Sequence, residues 1–133
     1  MKIMVISIPD LIVPDVSEHL QRQAKELGIE CEIILENSEG GLVTAVQKGF
    51  ETDGVILNAG DYARYSIAIR DAISSIKKTP VVEVHLTNTP PKMGSCHSSV
   101  LSAVCAGVIA GFGQDGYSLA FRALSFEKQK SDF

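Results

Sequence analysis

The chain has 133 residues, enough for one domain whose core folds alone, and carries 16 acidic against 12 basic side chains, a net charge of -4 and a pI near 5.3. That acidity argues against a nucleic-acid or anionic-membrane surface, for which a basic face is expected, and favours a small molecule or a protein as partner. The opening MKIMVISIPD has too short an apolar run and too early a proline for a signal peptide, and no stretch approaches a membrane span, so a cytoplasmic location is expected. Cys31, Cys96 and Cys105 are odd in number and lack CxxC spacing, so neither a disulfide framework nor a zinc site is indicated.

Strand-like and helix-like segments alternate along the chain. Lys2 to Ser7 is a short β-rich run. Asp15 with Glu18 forms a D-x-x-E start signal for a helix whose Val16, Leu20, Ala24 and Leu27 share one face, and Gly28 stands where that helix ends. Glu30 to Leu35 reads as a second strand, with Cys31 as a core residue alternating with Ile33 and Leu35; Leu42 to Phe50 reads as a second helix. Gly54 to Leu57 with Ser66 to Ile76 makes a third pair, and Val81 to His85 a fourth strand. After a longer loop from Leu86 to His97, Ser98 or Ser99 caps a short apolar helix running into Cys105; Val108 to Phe112 is a fifth strand and Tyr117 to Phe126 a last helix. Five such units predict an α/β, flavodoxin-like, doubly wound five-stranded parallel sheet with helices on both faces, because parallel strands need helical crossovers and these are right-handed. Residues 1–133 read as a single domain, without repeat, low-complexity tract or linker.

In such a sheet ligands bind at the carboxyl ends of the strands, and two adjacent ends are polar here. One run ends in Asn58, followed by Gly60, Asp61, Tyr62 and Arg64; the other ends in Glu83 and His85, then Thr87 and Asn88. Alternation along a strand sends Glu83 and His85 to the same side, where a carboxylate fixes the tautomer of an imidazole and supports the cationic form that an acid needs. The alternative is a histidine merely satisfied at a strand end. Arg64 fits an anion or a salt bridge across a subunit interface, and both readings stand. His97 fits the site or simply precedes a helix, whereas His19 reads as solvated. Asn37, Ser38 and Glu39 open the second helix, where an anion could meet free amides or an ordinary cap forms. Cys96 has no activating partner beyond its sequence neighbour His97.

The collinear segments NSEGGL (Asn37 to Leu42), ILNAGDYARYSIAIRDAI (Ile56 to Ile73), VVEVHLTN (Val81 to Asn88) and GVIAGFGQDGYSLAFRAL (Gly107 to Leu124) resemble the type II 3-dehydroquinate dehydratases over most of the chain from Gly28 onward. The resemblance implies a flavodoxin-like domain assembled as trimers packed into a homododecamer, and a reaction that dehydrates 3-dehydroquinate through an enolate without metal or cofactor. It puts Asn58 on the family's substrate-binding asparagine, Tyr62 on the tyrosine of its NPGAYTH motif, and His85 on the general acid to the leaving hydroxyl. Glu83 falls on the glutamate that orients that histidine. The amides of Leu86 and Thr87 fall where the family holds the substrate carboxylate, and Asp71 matches an acidic residue that reaches a neighbouring subunit's site.

Other positions depart from the family. Where it begins NGPNLNLLG and continues into a mobile lid with an Arg and the Tyr base, this chain reads Ser7-Ile8-Pro9-Asp10-Leu11-Ile12-Val13-Pro14 and enters its first helix. Arg64 replaces the histidine of the third-strand loop, Lys92 replaces one Arg of the fourth loop, and RHHS reads CHSS with Cys96 in place of another Arg. Asp10 and Tyr65 are candidates to stand in for the base. Loss of a positioned base typically costs about 10²–10⁴-fold in rate.

Two classes of function follow. One is a dehydratase-type lyase acting on 3-dehydroquinate or a related cyclic hydroxy-keto acid, a cyclic polyhydroxy carboxylate, with altered substrate or reduced activity. It would use His85, Glu83, Asn58 and Asp10 as catalytic residues, and Leu86, Thr87, Arg64, Tyr62, Asp71 and Lys92 around the substrate. The other is an inactive relative that keeps pocket and oligomer as a binding or scaffold protein. A third reading, a flavin-binding flavodoxin analogue, fares poorly, because the turn IPDLIVPD lacks the hydroxyl- and glycine-rich phosphate loop it would need. The apolar GVIAGFG and YSLAFRAL segments add weaker support for a subunit interface.

Overall fold

The computed structural model describes residues 1–88 and 99–131, the side chains of 129–131 excepted. Five parallel strands, β1 (Lys2–Ser7), β2 (Glu30–Leu35), β3 (Gly54–Asn58), β4 (Val81–His85) and β5 (Gly107–Ala110), pair in the order β2-β1-β3-β4-β5. Four helices connect and flank them: α1 (Pro14–Glu26), α2 (Glu39–Lys48), α3 (Ile67–Ser75) and α4 (Asp115–Ser131). The flavodoxin-like sheet expected from the alternation of elements is the one observed.

Alternation along the central strands divides the core in two. Met4, Ile6, Val55, Leu57 and Val81 face Leu42 and Val46 of α2 and Ile69 and Ile73 of α3. Ile3, Val5, Ile56, Val82 and Val84 face Leu20 of α1 and Tyr117, Phe121 and Leu124 of α4. Each central strand is therefore apolar on both sides, as a sheet covered on both faces requires. The edge strand β2 shows a half-exposed pattern instead, with Leu35 at 41% exposure.

Helix starts follow local chemistry, with some corrections to the sequence reading. Ser38 Oγ accepts from the Gly41 amide at 3.0 Å, so α2 begins at Glu39, three residues before its first buried side chain, Leu42. Ser66 Oγ does the same for Ile69 at 3.0 Å in front of α3. The D-x-x-E signal at Asp15 does not cap α1: the helix starts one residue earlier, at Pro14, and Val13 contributes no side-chain bond. Proline at the first helical position supplies the required φ and lacks the amide that would have needed a cap. Gly28 follows the end of α1 with φ 71, the left-handed conformation expected there. The short apolar helix expected before Cys105 is one 3-10 turn, Ser102–Val104. Cys105 already adopts extended backbone, φ -88 and ψ 154, to feed β5, which leaves no length for a longer helix. α4 begins at Asp115, two residues before Tyr117, and runs past Phe126 to Ser131. No helix among the described residues is long and apolar enough to cross a membrane.

Candidate active site

The carboxyl ends of β3, β4 and β5 and the loop after β1 enclose a cleft of about 440 Å³, walled by Leu11, Asn58, Gly60, Arg64, His85, Leu86, Thr87, Ser99 and Ser102 among others. The strand periodicity explains how two polar ends meet there. Asn58 follows Ile56 on the α1/α4 side, whereas Glu83 and His85 follow Val81 on the α2/α3 side. They approach the cleft from opposite faces of the sheet, at neighbouring strands.

On the β4 side, His85 Nε2 lies 2.6 Å from Glu83 Oε2, and Ser102 Oγ donates to Glu83 Oε1 at 2.6 Å. Glu83 is fully buried, while the His85 side chain is 29% exposed toward the cleft. Burial by itself pushes the Glu83 carboxyl up, but hydrogen bonds from His85, Ser102 and Ser99 and the adjacent imidazole charge outweigh it and hold the group below the usual carboxylate range. The glutamate is therefore an ionised acceptor, and a protonated Nε2 is the ring nitrogen committed to it. The Gly111 amide donates to the His85 carbonyl at 3.2 Å and the Gly113 amide to the Leu86 carbonyl at 2.8 Å, which pins the strand end. Gly111 has φ 92, and a Cβ there would sit 2.9 Å from the Asn88 Cβ, so this turn requires glycine. The neighbouring Cys105 thiol is pushed up to about 12 by burial and by the Glu83 charge, which makes it inert as a nucleophile.

On the β3 side, the Asn58 carboxamide is 2% exposed and bonded at both ends. Its Oδ1 accepts from the Gly60 amide at 3.2 Å, and its Nδ2 donates to Tyr117 Oη at 3.0 Å. Tyr117, fully buried on α4, donates in turn to the Leu11 carbonyl at 3.3 Å. Burial pushes its phenol up, and hydrogen bonds from Asn58 and Ser7 offset this only in part, so it is a neutral hydroxyl at physiological pH.

The remaining candidates are dispersed. Arg64 lines the cleft and pairs with Asp61 at 3.8 Å, with side-chain exposures of 48% and 87%, a contact too wet to neutralise it. Leu86 and Thr87 lie on the wall immediately after His85. Asp10 does not: it sits exposed in the 3-10 turn Pro9–Leu11, and its neighbour Leu11 forms the wall. Tyr62 is turned away, its hydroxyl 3.5 Å from the Asn37 carbonyl and its ring 5.9 Å from that of the exposed Tyr65. Asp71 is exposed on α3 beside Arg70 at 3.9 Å, away from the cleft of its own chain. Lys92, Cys96 and His97 lie outside the described residues. The sequence reading did not include Tyr117, Ser102 or Ser99 in the site. A hydroxyl inside a wholly apolar helix face was the available signal for Tyr117; Ser102 had none, since serine is common before a turn.

A larger hollow of about 700 Å³ lies at the opposite end of the sheet, by Lys77, Lys78, Lys128 and Asp53. It faces the amino ends of the strands, where α/β sheets do not bind their ligands. Lys77 and Lys78 follow the end of α3, where cations complement the helix dipole.

Comparison with known proteins decides the family. The profile of Dehydroquinase class II matches residues 10–125. The chain belongs to the type II dehydroquinase family. It is 46% identical over 115 residues to the 3-dehydroquinate dehydratase of Exiguobacterium sp., covering 86% of this chain and 78% of that one, and 39% identical to that of Campylobacter lari, covering 93% and 86%. Its structure is similar to that of the type II dehydroquinase from Butyrivibrio crossotus, with a TM-score of 0.88 and 33% identity over 94% of this chain and 97% of the other. A 3-dehydroquinate dehydratase-like protein from Bifidobacterium longum gives 0.77 at 28% identity, over 95% and 96% of the two chains. A CheY-like receiver domain at 18% identity and TM-score 0.55 shares the fold alone.

Proposed function

We propose that this dehydroquinase-family protein is a carbon–oxygen lyase that dehydrates 3-dehydroquinate, or a closely related cyclic hydroxy-keto acid, at reduced rate through an open site. The observation that carries the reading is the His85–Glu83–Ser102 chain, in which a buried, ionised carboxylate aims an imidazole into a cleft. The proton at C2, next to the ketone, is removed to give an enolate. The hydroxyl at the adjacent carbon then leaves as water, taking its proton from His85. With Nε2 held by Glu83, Nδ1 is the nitrogen that meets the leaving group. The amides of Leu86 and Thr87 receive the substrate carboxylate, Asn58 donates to a substrate oxygen, and Arg64 supplies positive charge at the mouth.

The reduced rate follows from the β1 side. Among the described residues, proton removal there has no buried carboxylate or tuned phenol to serve it: Asp10 is exposed, and the Tyr117 phenol is neutral. An exposed carboxylate such as Asp10 or solvent is then the base, and neither is matched to a carbon acid. The comparison with the Campylobacter lari enzyme spans 139 positions against 133 residues in this chain, so that enzyme carries residues this chain lacks, and the single turn joining Ser7 to Pro14 is the reason for placing some of them in a lid there. Exposed Val108 and Phe112, at 48% and 63%, support a homo-oligomer of the trimer-based kind that the resemblance implies.

Purified protein and its His85→Ala variant mixed with 3-dehydroquinate, followed by ultraviolet absorbance of the conjugated enone and by NMR for binding, test the proposal. Slow turnover that disappears in the variant while binding remains supports it. Binding without turnover in both supports the inactive relative, which the exposed position of Asp10 favours as second reading.

A further inference from the structure

We infer that Tyr117 is a positioning residue of this site, its phenol fixing the Asn58 carboxamide and tying it to the loop after β1. The inference rests on the reading of the Asn58–His85 cleft given above, and concerns a residue that touches no substrate itself.

Tyr117 joins two separate segments at one oxygen. Its Oη accepts from Asn58 Nδ2 at 3.0 Å and donates to the Leu11 carbonyl at 3.3 Å, while the Ser7 hydroxyl donates to the Ile8 carbonyl at 3.0 Å. The partners thus come from the end of β3 and the turn after β1. Asn58 has no choice of orientation in this frame. A flipped amide would point its NH₂ at the Gly60 amide, a donor against a donor, and would leave its oxygen facing Tyr117. With Oδ1 on Gly60 and one Nδ2 hydrogen on Tyr117, the second Nδ2 hydrogen is the one available to a ligand in the cleft that Asn58 lines.

The same hydroxyl secures the wall. Leu11 lines the cleft, and its carbonyl is held by Tyr117 in a segment whose backbone tethers are Leu11 to Ile8 at 3.1 Å, Ile12 to Pro9 at 3.4 Å and, to the end of β3, the Ile8 amide to the Asn58 carbonyl at 3.3 Å; Tyr117 adds the link to the Asn58 side chain. The turn after β1 is therefore a fixed wall that shares one anchor with the substrate-facing amide. A ring lacking only the hydroxyl would still fill the α1/α4 core, so packing alone does not require tyrosine at this position.

The test is Tyr117→Phe, Asn58→Ala and the double variant, with quinate as a stable cyclic polyhydroxy carboxylate probe. Tyr117→Phe is expected to weaken quinate binding and raise KM for 3-dehydroquinate about 5- to 10-fold, the scale of one lost buried hydrogen bond, with kcat changed much less. In the Asn58→Ala background the same change is expected to have no further effect, because it acts through Asn58. In the free protein, the Asn58 side-chain amide protons should exchange with solvent about 10-fold faster in Tyr117→Phe, a readout that needs no ligand. A lowered melting temperature with unchanged quinate affinity, KM and Asn58 exchange would overturn the inference and leave Tyr117 structural. Equal losses with and without Asn58 would overturn it too. A wild type that neither binds quinate nor converts 3-dehydroquinate would count against the reading of the cleft, and the amide exchange would still decide the tether.

Discussion

At the β4 rim of the cleft His85 rests on a carboxylate that Ser102 and Ser99 hold in turn, whereas at the β1 rim the chain passes from Ser7 to Pro14 through a single turn in which Asp10 faces water. The first rim is made of sheet and of the segment feeding β5. Its polar groups are buried, mutually bonded and electrostatically strong because water is excluded. The second depends on whatever chain lies between β1 and α1, and here that chain is short. In the proposed mechanism the acid is built into the frame of the fold, whereas a base at this rim would have to come from that short segment.

The widest difference should come from removing the proposed acid. His85→Ala is expected to lower turnover of 3-dehydroquinate by about 10²–10⁴-fold without loss of fold, measured by enone absorbance and circular dichroism. An unchanged rate would remove His85 from the chemistry and with it the contrast between the rims.

Ser102→Ala probes the support beneath the acid. One of the bonds to an ionised, buried carboxylate is lost, which should cost about 1.5–3 kcal/mol of stability. The pH dependence has a definite sign. Glu83 titrates below its unfolded value, so its contribution is present above the unfolded value and fades as pH falls through the lower folded one. Without Ser102 the folded value moves up, and the acid-unfolding midpoint followed by circular dichroism should move to higher pH. A midpoint that stays put or moves down would mean that Ser102 does not stabilise the carboxylate.

The smallest effect belongs to the β1 rim. Asp10→Asn should change kcat by no more than about 3-fold, since an exposed carboxylate outside the wall does little better than solvent. A fall of about 10²-fold would identify Asp10 as the base after all and make the two rims equals.

Much of this was legible in the residues. The apolar runs GVILN and VVEVH located β3 and β4, and the alternation within Val-Glu-Val-His put Glu83 beside His85, because strand geometry is local and repeats. Asn58 and His85 could be brought to one crevice because parallel strands share a carboxyl edge. What was hidden depended on distance in sequence. Tyr117 meets Asn58 across 59 positions, and Ser102 meets Glu83 across 19, through packing that no local pattern encodes. The placement of Asp10 was hidden for the opposite reason: a strand end predicts proximity to the edge, but the turn of the next two residues decides which of them lines the cleft, and Leu11 does.

The most direct test of the proposed acid and of the proposed lack of a tuned base is the dependence of 3-dehydroquinate turnover on an added small base. Raising imidazole at constant pH and ionic strength should increase kcat in proportion to its concentration, because the open cleft admits it to a proton for which the described residues offer at best an exposed carboxylate, and His85→Ala should abolish the response. Turnover that is rapid and independent of imidazole would contradict the account by revealing a base within the protein, and no turnover at any concentration would contradict the lyase reading itself.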